Sequence, residues 1–123
     1  MFQHFENAGK HLICDFKDIK NLEVLNDLTA LKNMCQAICH THNYTILGEL
    51  VHTFHPEGIS ILYLLSESHM SIHTFPEKHF ISFDLYTCRQ YKNNDDYICI
   101  YNKIVKSLDA SKDSSLQIVE RSF

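Results

Sequence analysis

At 123 residues, with 45% hydrophobic and 21% charged side chains, the chain has the composition of one ordinary globular domain. Its net charge of −4 and the lack of any basic stripe argue against a nucleic-acid partner. Five cysteines, odd in number and dispersed at positions 14, 35, 39, 88 and 99, favour free thiols in a reducing compartment over a disulfide scaffold.

The opening stretch, "MFQHFENAGK", lacks the apolar run of a signal peptide, and the longest apolar run, "ILYLL", is far too short for a bilayer. The expectation is a soluble, cytoplasmic protein with no membrane partner. A strand is read over 10–17, "KHLICDFK". A helix over 19–41 follows, with Ile19, Leu22, Leu25, Leu28, Leu31, Cys35 and Ile38 at three-to-four spacing and Asp18 as its cap. Strands over 44–54 and 58–66 are parted by "HPEG", whose Pro and Gly suit a turn. Two more, over 69–75 and 80–88, are parted by "PEKH". A second helix over 95–110 places Ile98, Tyr101, Ile104, Val105 and Leu108 on one face, and "SLQIVERSF" closes the chain as a last strand. This order predicts an α+β fold in one domain, a two-layer α/β sandwich whose antiparallel sheet carries both helices on one face.

The central hairpins permit a register. Placing Leu65 opposite Met70 and Phe75 opposite Phe80 sets His73 opposite Leu62 and Ser82, and Cys88 opposite Glu67. Alternation then sorts the side chains. One face receives Ile59, Ile61, Tyr63, Leu65, Met70, Ile72, Ile81, Phe83 and Leu85, a surface for helices. The other receives Ser60, Ser71, His73, Ser82, Asp84, Tyr86 and Cys88, with Leu62 and Leu64 among them. A solvated sheet face is the plain alternative, since polar-out alternation is common in antiparallel sheets. Such a face more often carries Lys, Glu and Thr than Ser, His, Tyr and Cys, so the pattern points to a site without naming a reaction.

"SESHMSIHTFPE" followed by "FDLYTC" resembles the short, prokaryotic-type S-adenosylmethionine decarboxylases, whose pattern is close to SESHxTIHTWPE and then DxFTCG. "GKHLICDF" is similar to that family's GRHL strand, and "FHPEGIS" to its segment with a Phe, a Gly and a catalytic Ser. The resemblance spans most of the chain and implies a self-made cofactor. Ser68 attacks the carbonyl of Glu67, the peptide bond becomes an ester, and elimination followed by hydrolysis leaves a pyruvoyl group in place of Ser68. The chain thereby divides into a β chain, 1–67, and an α chain, 68–123. The pyruvoyl ketone forms a Schiff base with the substrate amine and stabilises the carbanion left as CO₂ departs, work that pyridoxal phosphate does elsewhere.

By the same resemblance His73 is the processing acid/base, Cys88 returns a proton to the substrate and assists processing, and Ser60 contributes to both. Each has a structural alternative: a satisfied sheet histidine, a small buried hydrophobe, an ordinary strand serine. Phe54 and Phe75 match aromatic contacts to the substrate, and Glu77 matches a ribose-binding position; for each phenylalanine the alternative is core packing. A homodimer of αβ units with residues of both copies around each site is implied. Phe75 stands where tryptophan is typical, and Arg89 stands where the family has glycine. Both departures bear on the substrate. The function implied is S-adenosylmethionine decarboxylation for spermidine synthesis. The alternatives are an arginine or ornithine decarboxylase using the same pyruvoyl group, or an unprocessed homologue that only binds. "HTH" at 40–42 and "HTFH" at 52–55 lack the support of a metal motif, so no metal is expected. Cys35 and Cys39, one helical turn apart in an apolar stripe, read as core.

Overall fold

The computed structural model describes residues 5–123; the first four residues of the opening stretch lie outside them. The elements run β1 (Lys10–Phe16), α1 (Leu28–His42), β2 (Ile46–Thr53), β3 (Ile59–Leu65), β4 (Ser68–Phe75), β5 (Phe80–Thr87), α2 (Asp95–Leu108) and β6 (Ser115–Glu120), with short 3₁₀ turns at Leu22–Asn26 and Pro76–Lys78. The strands form one six-stranded sheet in the order β2-β3-β4-β5-β1-β6, every pair antiparallel. Both helices contribute their apolar stripes to the core on one side of it. The expected two-layer α+β sandwich is therefore the architecture found.

The alternating pattern of the strands explains the layering. Ile59, Ile61, Tyr63, Leu65, Met70, Ile72, Ile81, Phe83 and Leu85 are all buried, and they meet Leu31, Cys35 and Ile38 of α1 and Tyr97, Ile100, Ile104 and Leu108 of α2. Removing one large member is costly: Phe83→Ala is expected to lose about 3–5 kcal/mol. Burial pushes the Cys35 thiol up to about 12, as befits a core residue rather than a redox group.

Three sequence expectations are corrected. The first helix does not start at Asp18, whose φ of 49° turns the chain aside. It begins after the 3₁₀ turn, where the Asp27 carboxylate accepts the Ala30 N–H at 3.0 Å and so satisfies one orphan donor. The apolar spacing runs on through the turn, burying Val24 and Leu25, and so hides the break. The buried stripe of α2 is Tyr97, Ile100, Ile104 and Leu108; Ile98 faces outward. The β3–β4 turn has two residues, Ser66 and Glu67, rather than four, so Leu65 pairs with Ser68 and His73 with Ser60 instead of Leu62. The slip is two residues, and each side chain keeps its face. The β4–β5 register is as expected, with Phe75 opposite Phe80 and His73 opposite Ser82.

Gly9 has a structural role at the mouth of β1. Its φ is 89°, and a Cβ there would collide with the Thr87 carbonyl oxygen. The close approach presses the start of β1 against the end of β5, where Cys88 follows.

Candidate active site

Chemically active groups gather at both ends of the central strands. One end is the β3–β4 turn. Ser68, the first residue of β4, has a φ of 142°, a backbone conformation costing roughly 1–3 kcal/mol for a residue with a Cβ. Its surroundings impose it. The Glu67 carbonyl accepts the Cys88 N–H at 2.9 Å, and Ser68 itself is paired to Leu65 and Thr87. The Ser66 N–H donates to the Thr45 carbonyl at 2.9 Å.

The Glu67 side chain is held as firmly as its carbonyl. One carboxylate oxygen accepts the Thr45 N–H at 3.0 Å, and the other accepts from Arg89 Nη2 at 3.1 Å. Partial desolvation would raise this carboxyl. The hydrogen bonds from Thr45, Ser66 and Arg89, with the guanidinium charge, outweigh it and hold the group below the ordinary carboxylate range. Cys88 is half-buried beside the turn, on the strand that flanks Ser68.

The other end holds the remaining predicted residues. Ser60 Oγ and His73 Nδ1 lie 2.7 Å apart. They line a cavity of about 380 Å³ together with Phe54, Gly58, Phe75 and Glu77. Phe54 and Phe75 are exposed rather than packed in the core, so the plain core alternative fails for both. With Glu57 and Thr74 also lining it, the wall has two aromatic faces, two carboxylates, two hydroxyls and an imidazole.

Between the ends, Ser71 donates to Asp84 at 3.3 Å, and His11 Nε2 lies 3.6 Å from the same carboxylate. Leu50 and Leu64 stand 71% and 59% exposed on the open sheet face, turned away from the helices.

The structure thus brings Glu67, Ser68 and Cys88 together, and separately Ser60, His73, Phe54, Phe75 and Glu77. It does not join the two groups. Ser68 and His73 are five residues apart on one strand, about 16 Å at the usual rise. Thr45, which grips Glu67 by a backbone N–H, escaped the sequence reading because any residue type can donate that bond. Arg89 was visible only as a departure from a pattern. Among the described residues, no group of three or more His, Cys, Asp or Glu is placed to hold a metal ion, and no helix is long and apolar enough to cross a membrane.

Residues 10–122 match the family model described as S-adenosylmethionine decarboxylase. Among relatives named S-adenosylmethionine decarboxylase proenzyme, that of Symbiobacterium thermophilum is 37% identical over 84 residues, 68% of this chain and 63% of its own length. That of Thermodesulfovibrio yellowstonii is 40% identical over 80 residues, 65% of this chain and 58% of its own. The chain therefore spans about three-fifths of these relatives. The crystal structure of the adenosylmethionine decarboxylase from Aquifex aeolicus is similar in fold, with a TM-score of 0.81 at 24% identity over 96% of this chain and 93% of that one. The AdoMetDC-delta26 monomer of Trypanosoma brucei matches with a TM-score of 0.60 at 17% identity, over 95% of this chain and 47% of its own.

Proposed function

This chain belongs to the S-adenosylmethionine decarboxylase family, and from that premise we propose that it is a precursor that cuts itself between Glu67 and Ser68 to become a pyruvoyl-dependent decarboxylase of S-adenosylmethionine. The observation that carries this reading is the Glu67–Ser68 link itself: a strained serine whose preceding carbonyl is already polarised by the Cys88 N–H. A donor so placed stabilises the oxygen that becomes negative as the Ser68 hydroxyl adds to that carbonyl.

The residues present suit a pyruvoyl group at position 68. The turn holds the serine from which it would form, and the half-buried Cys88 follows Thr87, the strand partner of Ser68. Such a group supplies a ketone that condenses with the substrate amine and takes up the electron pair released as CO₂ leaves. The chain's own contribution is to bind and to move protons. Phe54 and Phe75 offer stacking faces to an adenine and an apolar, π-rich wall to a sulfonium. Glu77 offers its carboxylate to ribose hydroxyls. Cys88 Sγ delivers the proton that replaces CO₂, and His73, held by Ser60, acts as the acid/base of processing.

His73 is too far along its strand to reach its own Ser68, so a second copy must supply it. A two-fold contact that packs the open faces of two copies together carries His73 of one subunit toward the β3–β4 turn of the other, where Ser68 begins β4. Such an isologous contact also covers Leu50, Leu62 and Leu64, which otherwise leave apolar surface in water. The working unit is then a homodimer with two shared sites, placed in the cytoplasm and feeding aminopropyl transfer to spermidine-type amines. An arginine or ornithine substrate has less support. The Arg89 charge is engaged by Glu67, and the relatives named above are S-adenosylmethionine decarboxylase proenzymes.

Denaturing mass spectrometry of freshly made protein tests the reading. Two fragments, 1–67 and a blocked 68–123 that gains two hydrogens with borohydride, are expected, with labelled CO₂ released from S-adenosylmethionine. An intact chain still carrying Ser68 overturns the self-cleavage. CO₂ from arginine or ornithine but not from S-adenosylmethionine overturns the substrate.

A further inference from the structure

The segment Cys88–Arg89 touches Glu67 twice, once through a backbone N–H on its carbonyl and once through a guanidinium on its side-chain carboxylate. We propose, resting on the self-cleavage reading above, that Arg89 is a positioning residue for the acyl shift: it clamps the Glu67 side chain so that the carbonyl carbon of Glu67 is presented to the Ser68 hydroxyl.

The anchor is rigid. Arg89 Nη1 donates to the His42 carbonyl at 3.2 Å and Nη2 to that of Asn43, both at the C-terminal end of α1, and the guanidinium lies 5.2 Å from the centre of the Tyr44 ring. The same Nη2 reaches Glu67 at 3.1 Å. A planar fork can serve all these partners at once; an ammonium has no such geometry.

The charge arrangement makes the arginine necessary to the arrangement. A helix C-terminus carries partial negative charge, and Glu67 places a carboxylate beside it. Without the intervening guanidinium the carboxylate is repelled by the His42 and Asn43 carbonyls and swings out. The two-residue turn then loses one of the holds on the side chain of its second residue. With Arg89 in place, the carboxylate is fixed on two sides and the carbonyl on a third.

The step is the N→O shift. The Ser68 oxygen bonds to the Glu67 carbonyl carbon, the bond from that carbon to the Ser68 nitrogen breaks, and the hydroxyl proton passes to the nitrogen. It needs no oxidant or reductant, only alignment. A displacement of about 1 Å in such a pair costs on the order of a hundredfold in rate.

The experiment follows self-cleavage of the full chain over time by denaturing mass spectrometry. Wild type is compared with Arg89→Ala, Arg89→Lys, Glu67→Gln and the Arg89→Ala/Glu67→Gln pair, with melting temperatures in parallel. Arg89→Ala is expected to slow cleavage at least about tenfold. Arg89→Lys restores part of the rate, and the pair is no slower than the slower single variant, because the two side chains act as one unit. Hydroxylamine, which cuts esters but spares amides, reports whether the slowed step precedes or follows the ester, and the parallel melting temperatures show whether the variant is folded. If the clamp acts before the ester forms, hydroxylamine leaves slowed Arg89→Ala chains uncut. Prompt cutting by hydroxylamine, or wild-type cleavage of Arg89→Ala, overturns the clamp alone. A wild-type chain that never cleaves overturns the underlying self-cleavage reading as well.

Discussion

The two ends of the central strands are built on opposite principles. At the β3–β4 turn nearly every polar group is committed: the Glu67 carbonyl to Cys88, its carboxylate to Thr45 and Arg89, and the Ser66 N–H to Thr45. At the Phe54–Phe75 end the walls stand open around a cavity of about 380 Å³, and one short hydrogen bond, Ser60 to His73, fixes the imidazole. The difference follows from the task. Breaking a peptide bond needs a geometry that its surroundings over-determine, since strain persists only where it is held. Receiving a small molecule needs unsatisfied surface and space.

The sharpest way to break this contrast is Ser68→Ala, which removes the hydroxyl at the tied end. Cleavage is expected to vanish, leaving a single chain on denaturing gels while the cavity end keeps its shape. Next in size is a mixing experiment that tests whether the ends meet across two copies. His73→Ala alone is expected to stay largely uncut. Co-expressed with the Ser68→Ala chain, the His73→Ala chain should be cut, because His73 of the partner subunit is intact. Failure of that rescue, with mixed dimers present by native mass spectrometry, would return the histidine's role to its own subunit.

Cys88→Ser probes the tied end after processing. An alcohol gives up its proton far less readily than a thiol, so turnover should drop at least about tenfold while some cleavage survives. Normal turnover would remove Cys88 from protonation. Phe54→Ala or Phe75→Ala probes the open end alone: the Michaelis constant should rise, at about 1–3 kcal/mol per lost stacking face, with cleavage unaffected. Slowed cleavage in either variant would show that the ends are not separable.

The smallest effect concerns acid. The Glu67 carboxyl is held below its ordinary value in the folded chain, so the unfolded chain binds more protons as pH falls through the carboxylate range. Its stabilisation is complete above that range and is lost as pH drops through the folded value. In the uncut Ser68→Ala background, the melting-temperature gap between Glu67 and Glu67→Gln chains should therefore be widest at neutral pH and narrow toward pH about 3, below the ordinary glutamate value. A gap that is constant across this range would mean that the ion pair adds nothing to stability.

Much of this was legible in the residues. Period-two alternation assigned Ile61, Tyr63, Ile72 and Phe83 to the helix side and Ser60, His73 and Asp84 to the other, and a register error of two residues left that assignment intact. For the same reason alternation could not detect the error, and the Ser60–His73 pair emerged only with the true turn. The start of α1 was misread because the 3₁₀ turn before it keeps the helical spacing of apolar residues.

Sequence by itself thus determined the layers, the elements and which residues carry reactive groups, because those depend on local period and residue chemistry. Tertiary structure decided which groups meet. Thr45, Glu67 and Arg89 lie on three separate segments and converge only when α1 and the sheet pack, and Ser68 and His73, near in number, are parted by the length of an extended strand. Contact between segments distant along the chain is set by packing, and no local pattern encodes it.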